Sequence, residues 1–211
     1  MIFFDLKRRT ILASTLAAFA LSASGFVAPV LAESPQKIAD HFASVRTMAG
    51  EFIQLGPKGE QTGGKFFIER PGKIRFNYEA PSNIRVVADG KSVVVNNKKL
   101  DTWDIYPLSK TPLKLLLDDR IDLSGSTVKS IKEDPDLTTI VLGNESVFGN
   151  SKITLLFDPN SFDLRQWTIT DAQGKDTTVM IFNVQQDVKL DPKLFKVDYL
   201  TIQQKKAAKG G

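Results

Sequence analysis

Apolar and polar residues alternate through most of this chain, and turn-forming residues interrupt the alternation at short intervals. The pattern is clearest from Gly64 to Lys91. Phe66, Ile68 and Arg70 share one face of a first run, Ile74, Phe76 and Tyr78 one face of a second, and Ile84 and Val86 one face of a third. Arg70-Pro71-Gly72-Lys73, Ala80-Pro81-Ser82-Asn83 and Asp89-Gly90-Lys91 separate the runs. Proline presets the first central position of a turn and glycine supplies positive φ. The segment therefore reads as an antiparallel meander with one aromatic-rich face. Arg70 is the exception on that face, a charge in phase with Phe66 and Ile68.

The same reading extends along the chain. Pro35 opens a helix to about Arg46, with Ile38, Phe42 and Val45 at helical spacing. Phe52 begins the strands. After the meander, Val93–Val95 and Leu100–Tyr106 are expected to form a hairpin through Asn96-Asn97. Thr111 is placed to cap a short helix that starts at Pro112 and carries Leu113, Leu115, Leu116 and Leu117. So many leucines must be buried against something. Further strands are expected at Thr127–Lys132, Leu137–Leu142, Ile153–Asp158, Leu164–Thr170, Thr177–Val184 and Lys196–Ile202. About ten or eleven sequential antiparallel strands must curl. The expected class is mainly β: either a closed barrel, or a half-open barrel with a few helices laid across its mouth.

The start of the chain changes the picture of where this fold resides. Lys7, Arg8 and Arg9 precede an apolar, small-residue-rich run, and Val30-Leu31-Ala32 suits a cleaving peptidase. Residues 1–32 read as a signal peptide, the rival being an uncleaved anchor helix. Arg8-Arg9 also loosely resembles a twin-arginine export signal, with ordinary secretion the preferred route. No later apolar run is long enough to span a bilayer, so the mature chain is expected to be soluble. The domain is expected over residues 33–202 and a flexible basic tail, with Lys205, Lys206 and Lys209, over 203–211. Without cysteine there is no disulfide, no thiolate site and no residue for lipid attachment. From Glu33 onward, 25 basic residues face 23 acidic ones, too even a balance to suggest a nucleic-acid partner.

Candidate chemistry is thin. His41, the single histidine, lies on the polar flank of the first helix with no nucleophile beside it. Gly56-Pro57-Lys58-Gly59-Glu60 lacks the order of a phosphate loop. Asp118 and Asp119 are adjacent, so their carboxylates diverge. The acidic turns Glu133–Asp136, Asp158–Asn160 and Asp171–Gly174 invite a calcium reading, but aspartate and asparagine are ordinary turn residues. No catalytic residue, metal site or cofactor is expected. The apolar inventory points to binding, or to nothing more than a core.

The blocks Met48–Gln54, Arg70–Tyr78 with Pro81, and Val87–Lys91, in that order and spacing, resemble the periplasmic carriers of outer-membrane lipoproteins, the LolA-type family. That resemblance implies a half-barrel whose helices form a lid over an apolar concave face. It implies a monomeric periplasmic carrier of acylated lipoproteins, taken from an inner-membrane lipoprotein-releasing transporter and passed to an outer-membrane acceptor. It also implies that Arg70 is a lid latch bonded to backbone carbonyls of the lid helices. Phe52, Phe66, Ile68, Ile74, Phe76, Tyr78, Val86, Trp103, Trp167 and Ile169 are then the expected acyl-chain-binding residues. Leu113, Leu115, Leu116 and Leu117 are expected on the lid. The alternative is an envelope protein of the same shape that senses lipids or lipoproteins. Many relatives carry tryptophan where this chain has Phe76 and Tyr78, which keep the surface aromatic. Arg75 and Arg85 alternate onto the outer face.

Overall fold

The computed structural model describes residues 35–123 and 125–209. The region read as a signal peptide lies outside the described residues. Helix α1 (Pro35–Ser44) leads into β1 (Thr47–Leu55), β2 (Gln61–Glu69), β3 (Lys73–Tyr78), β4 (Ile84–Asp89), β5 (Ser92–Asn97) and β6 (Thr102–Pro107). Helix α2 (Leu113–Leu117) then crosses to β7 (Val128–Asp134), β8 (Leu137–Gly143), a short helix α3 (Glu145–Phe148), β9 (Lys152–Phe157), β10 (Leu164–Thr170) and β11 (Asp176–Gln186). Helix α4 (Tyr199–Lys209) ends the described chain.

All eleven strands form one antiparallel sheet in the order β6-β5-β4-β3-β2-β1-β11-β10-β9-β8-β7. The sheet is open: β6 and β7 are its edges and do not close a barrel. It is nevertheless strongly curled. Phe76 on β3 and Trp167 on β10 are four strands apart, about 19 Å in a flat sheet. Their ring centroids lie 6.1 Å apart. Gly64 assists the bend. Its φ is +154°, and a Cβ there would stand 2.0 Å from the Asn77 carbonyl oxygen, so only glycine lets β2 and β3 approach in this way.

Register decides which side chains face inward. Phe66 pairs with Phe76, Ile68 with Ile74, and Phe76 with Val86. Phe52 pairs with Ile181, and Trp167 with both Val179 and Leu155. This row is the inner face. Helix α1 presses Ile38, Ala39 and Phe42 onto it, and α2 adds Leu113, Leu116 and Leu117, in one continuous core.

Four local expectations are corrected. The β5–β6 turn falls at Lys98–Asp101 instead of Asn96-Asn97. Asn96 stays in the ladder opposite Trp103, and Asn97 Oδ1 accepts the N–H groups of Lys99 and Leu100. Thr111 does not cap α2; its hydroxyl donates back to the Leu108 carbonyl. The run Lys196–Ile202 is not a strand. Asp198 accepts hydrogen bonds from the Thr201 N–H and hydroxyl, and this N-cap starts α4. Lys205 and Lys206, expected in a flexible tail, therefore lie on a helix.

Candidate functional site

A cavity of about 340 Å³ opens on the inner face. Phe76, Tyr78, Val86, Trp167, Ile169 and Leu113 line it, so five of the ten expected binding residues and one lid leucine meet there. They come from β3, β4, β10 and α2, which only the curl of the sheet brings together. Phe52 stands behind this wall, its ring edge-on to Phe76 at 4.8 Å and to Tyr78 at 5.1 Å.

Phe66, Ile68 and Ile74 sit on the same face but elsewhere. All three are fully buried in the core cluster to which α1 and α2 contribute, and do not line the cavity. Leu116 and Leu117 are likewise buried, while Leu115 is half-buried against the core. Trp103 is a correction. The ladder sets it opposite Asn96, on the face shared with Arg85, away from Val86 and Val95. There the Lys205 ammonium lies 4.8 Å above its ring. Both parities of β6 carry apolar residues, Trp103 and Ile105 on one and Tyr106 on the other, so alternation in this edge strand does not reveal its inner side.

Arg70 leaves the end of β2 and turns into the protein, 3 % exposed. Its Nη1 donates to the carbonyl oxygens of Phe42, at 2.8 Å, and of Val45. Its Nε donates to the Leu116 carbonyl at 3.4 Å. The guanidinium carbon lies 3.8 Å over the Phe42 ring. Phe42 and Leu116 lie in the last turns of α1 and α2, whose carbonyls a helix cannot satisfy internally, and Val45 directly follows α1. One arginine thus ties both helices to the sheet. The tie is imperfect: Nη2 is buried without a partner among the described residues, and 3.4 Å is long for such a bond. Burial, with the charge of Arg46 nearby, lowers the Arg70 pKa to about 10, so it stays protonated at neutral pH.

Gln54 and Thr177 also line the cavity, outside the set expected from the sequence. The Tyr78 hydroxyl donates to Gln54 Oε1 at 2.7 Å. Burial pushes that hydroxyl up to about 12, partly offset by Gln54. The signal was present in the sequence: Gln54 lies two residues beyond Phe52, hence on its face, just as Arg70 shares a face with Ile68.

The outer face is also partly covered. Arg75 Nη1 donates to the Leu194 carbonyl at 2.9 Å, and the Tyr199 hydroxyl to Asp89 at 2.8 Å. A larger depression, about 480 Å³, lies beside the β3–β4 turn. Turn residues such as Glu79, Ser82 and Asn83 give it polar walls, which do not suit an apolar ligand. The candidate carboxylates are occupied by turns and ion pairs. Asp118 pairs with Lys114, and Asp119 with Arg46 at 2.8 Å. Asp158 accepts from the N–H groups of Asn160 and Ser161 and from Arg165.

Residues 43–198 match the family described as outer membrane lipoprotein carrier protein LolA. An outer-membrane lipoprotein carrier protein of Alkalilimnicola ehrlichii is 29% identical over 202 residues, covering 87% of this chain and 88% of its own. One from Pseudomonas aeruginosa is 28% identical over 177 residues, covering 77% and 82% respectively. Among solved structures, a LolA superfamily protein from Nitrosomonas europaea aligns with a TM-score of 0.43 at 11% identity, covering 80% of this chain and 100% of that one.

Proposed function

This chain belongs to the outer membrane lipoprotein carrier family, and from that premise we propose that it is a periplasmic carrier that shields the acyl chains of lipoproteins in transit. It would take them from an inner-membrane lipoprotein-releasing transporter and hand them to an acceptor at the outer membrane. The observation that carries this reading is an apolar cavity on the inner face of a curled sheet, bordered by Leu113 of α2, with one arginine joining α1 and α2 to that sheet.

The physical need is plain. An acyl chain gains about 0.8 kcal/mol for each methylene removed from water, so it must be covered while crossing an aqueous compartment. A volume of about 340 Å³ is at the lower end for ligand pockets. Several acyl chains require more room. On this reading Phe76, Tyr78, Val86, Trp167 and Ile169 receive the first segment of chain. Phe52, Phe66, Ile68 and Ile74 are uncovered as α1 and α2 lift away. Leu113, Leu115, Leu116 and Leu117 move with α2.

Arg70 is the latch. A hydrogen bond from a charged donor contributes about 1.5–3 kcal/mol, whereas a buried unpaired donor costs about 1–3 kcal/mol. With three bonds made and one nitrogen unpartnered, the closed state is favoured only moderately. Cargo that makes apolar contacts with the open state can shift such an equilibrium.

Mass spectrometry of the protein purified from periplasm tests the reading, together with binding of N-phenyl-naphthylamine, a neutral apolar fluorophore. Intact acylated lipoproteins and probe binding are expected. Free lipids alone would favour a lipid-sensing role, and absence of both ligands and probe binding would overturn the cavity.

A further inference from the structure

None of the side chains lining the cavity is charged, yet one end of it is polar. Gln54 and Thr177 are diagonal neighbours there, since Leu55 pairs with Thr178 across β1 and β11. Tyr78 reaches the same place from β3. This end is far from the latch. Gln54 lies eight residues beyond Arg46, about 26 Å along an extended strand, whereas Arg46 adjoins Arg70 through a 2.8 Å backbone bond.

The hydrogen-bond inventory is lopsided. The Tyr78 hydroxyl is committed to Gln54 Oε1. That bond orients the amide, and its Nε2 donors have no partner among the described residues. A half-buried amide with oriented, unspent N–H groups beside an apolar wall matches a neutral carbonyl acceptor. A carboxylate fits poorly, because no cation lines the cavity to offset its desolvation. An acyl chain in ester or amide linkage carries a neutral carbonyl at the boundary between its apolar and polar parts.

We propose that Gln54, held by Tyr78, is a carbonyl-binding subsite that receives the ester or amide carbonyl at the polar end of an acyl chain lodged in the cavity. The proposal rests on the carrier reading and adds a register to it: the chain enters with its methyl end toward the latch and its linkage at Gln54. Tyr78 is then a positioning residue, acting through Gln54.

Displacement of N-phenyl-naphthylamine from the full mature chain tests this with three ligands of matched length: methyl palmitate, hexadecyl methyl ether and palmitate. Wild type is expected to bind the ester about tenfold more tightly than the ether, the size of one hydrogen bond left unmade. Gln54→Leu should bring the ester-to-ether ratio to about one. Tyr78→Phe should reduce the ratio by only a fewfold, with melting unchanged, because the amide remains but is no longer oriented. Equal binding of ester and ether by wild type, or an unaltered ratio in Gln54→Leu, overturns the subsite alone. Palmitate binding as tightly as its ester would also overturn it, in favour of an anion site. Failure of every ligand, with no probe uptake, overturns the carrier reading and the subsite with it.

Discussion

The inner face of the sheet has two ends built from the same strands, and they do different things. At the latch end, Ile68, Ile74, Phe66 and Phe157 are fully buried in the core that α1 and α2 help to form. At the other end, Tyr78, Val86 and Ile169 are only half-buried and border a cavity. Ile74 and Tyr78 lie four residues apart on one strand, in phase. What separates core from binding surface is the cover above each residue, and a single strand's pattern carries no record of its cover.

Charges placed at the two ends give the largest expected contrast. Ile74→Glu puts an unpaired carboxylate into a closed core, where such a change costs several kcal/mol. The domain is expected to unfold or to lose most of its thermal stability. Val86→Glu on the cavity wall can keep its carboxylate hydrated, so melting should fall by roughly 1 kcal/mol or less while N-phenyl-naphthylamine binding collapses. Thermal melting and probe titration on both variants check this, and equal melting losses would erase the distinction between the ends.

Arg70→Leu should have a smaller, localised effect. It removes the three bonds to the carbonyls of Phe42, Val45 and Leu116 but also removes a buried charge. The sheet should melt within about 1–2 kcal/mol of wild type. Amide exchange in α1 and α2 should rise about tenfold relative to β1 and β11. Parallel changes in helices and sheet would make Arg70 an ordinary core residue instead of a latch.

The smallest effect concerns the turn that follows Phe157, whose ring packs edge-on to Phe42 at 5.3 Å. Hydrogen bonds from Arg165, Ser161 and Asn160 hold the Asp158 carboxyl down at about 2, against about 3.9 in an unfolded chain. A depressed carboxyl stabilises the fold above its unfolded pKa. That contribution is lost as pH falls from about 4 through about 2. The turn is solvent-exposed, so screening should keep the loss below ~1 kcal/mol. Asp158→Asn should remove this part of the acid dependence in melts between pH ~2 and ~5 and leave probe binding untouched.

Much of this was legible in the residues. Proline and glycine turns marked the β2–β3 and β3–β4 connections, and period-two alternation found the strands around them. The phase of Arg70 with Ile68 singled out a buried charge. Errors arose where local signals were balanced. On β6, apolar residues occupy both parities, so alternation does not show that Trp103 faces outward. At the C-terminus, the β-prone Val197, Tyr199 and Ile202 outweighed Asp198 and Thr201, a capping pair that starts a helix. Gln54 does not stand out, because a polar residue between Phe52 and Leu55 reads as ordinary alternation until its face is counted.

The sequence by itself determined the antiparallel strands, most of their turns, the apolar inner face and the oddity of Arg70, because these depend on side-chain parity and on backbone preferences of a few neighbouring residues. The tertiary structure alone decided that the sheet stays open, that Phe76 on β3 meets Trp167 on β10, and that α1 and α2 cover one end of the face and leave the other hollow. Those outcomes depend on accumulated twist and on packing between residues up to about a hundred positions apart in the chain. No local pattern encodes them.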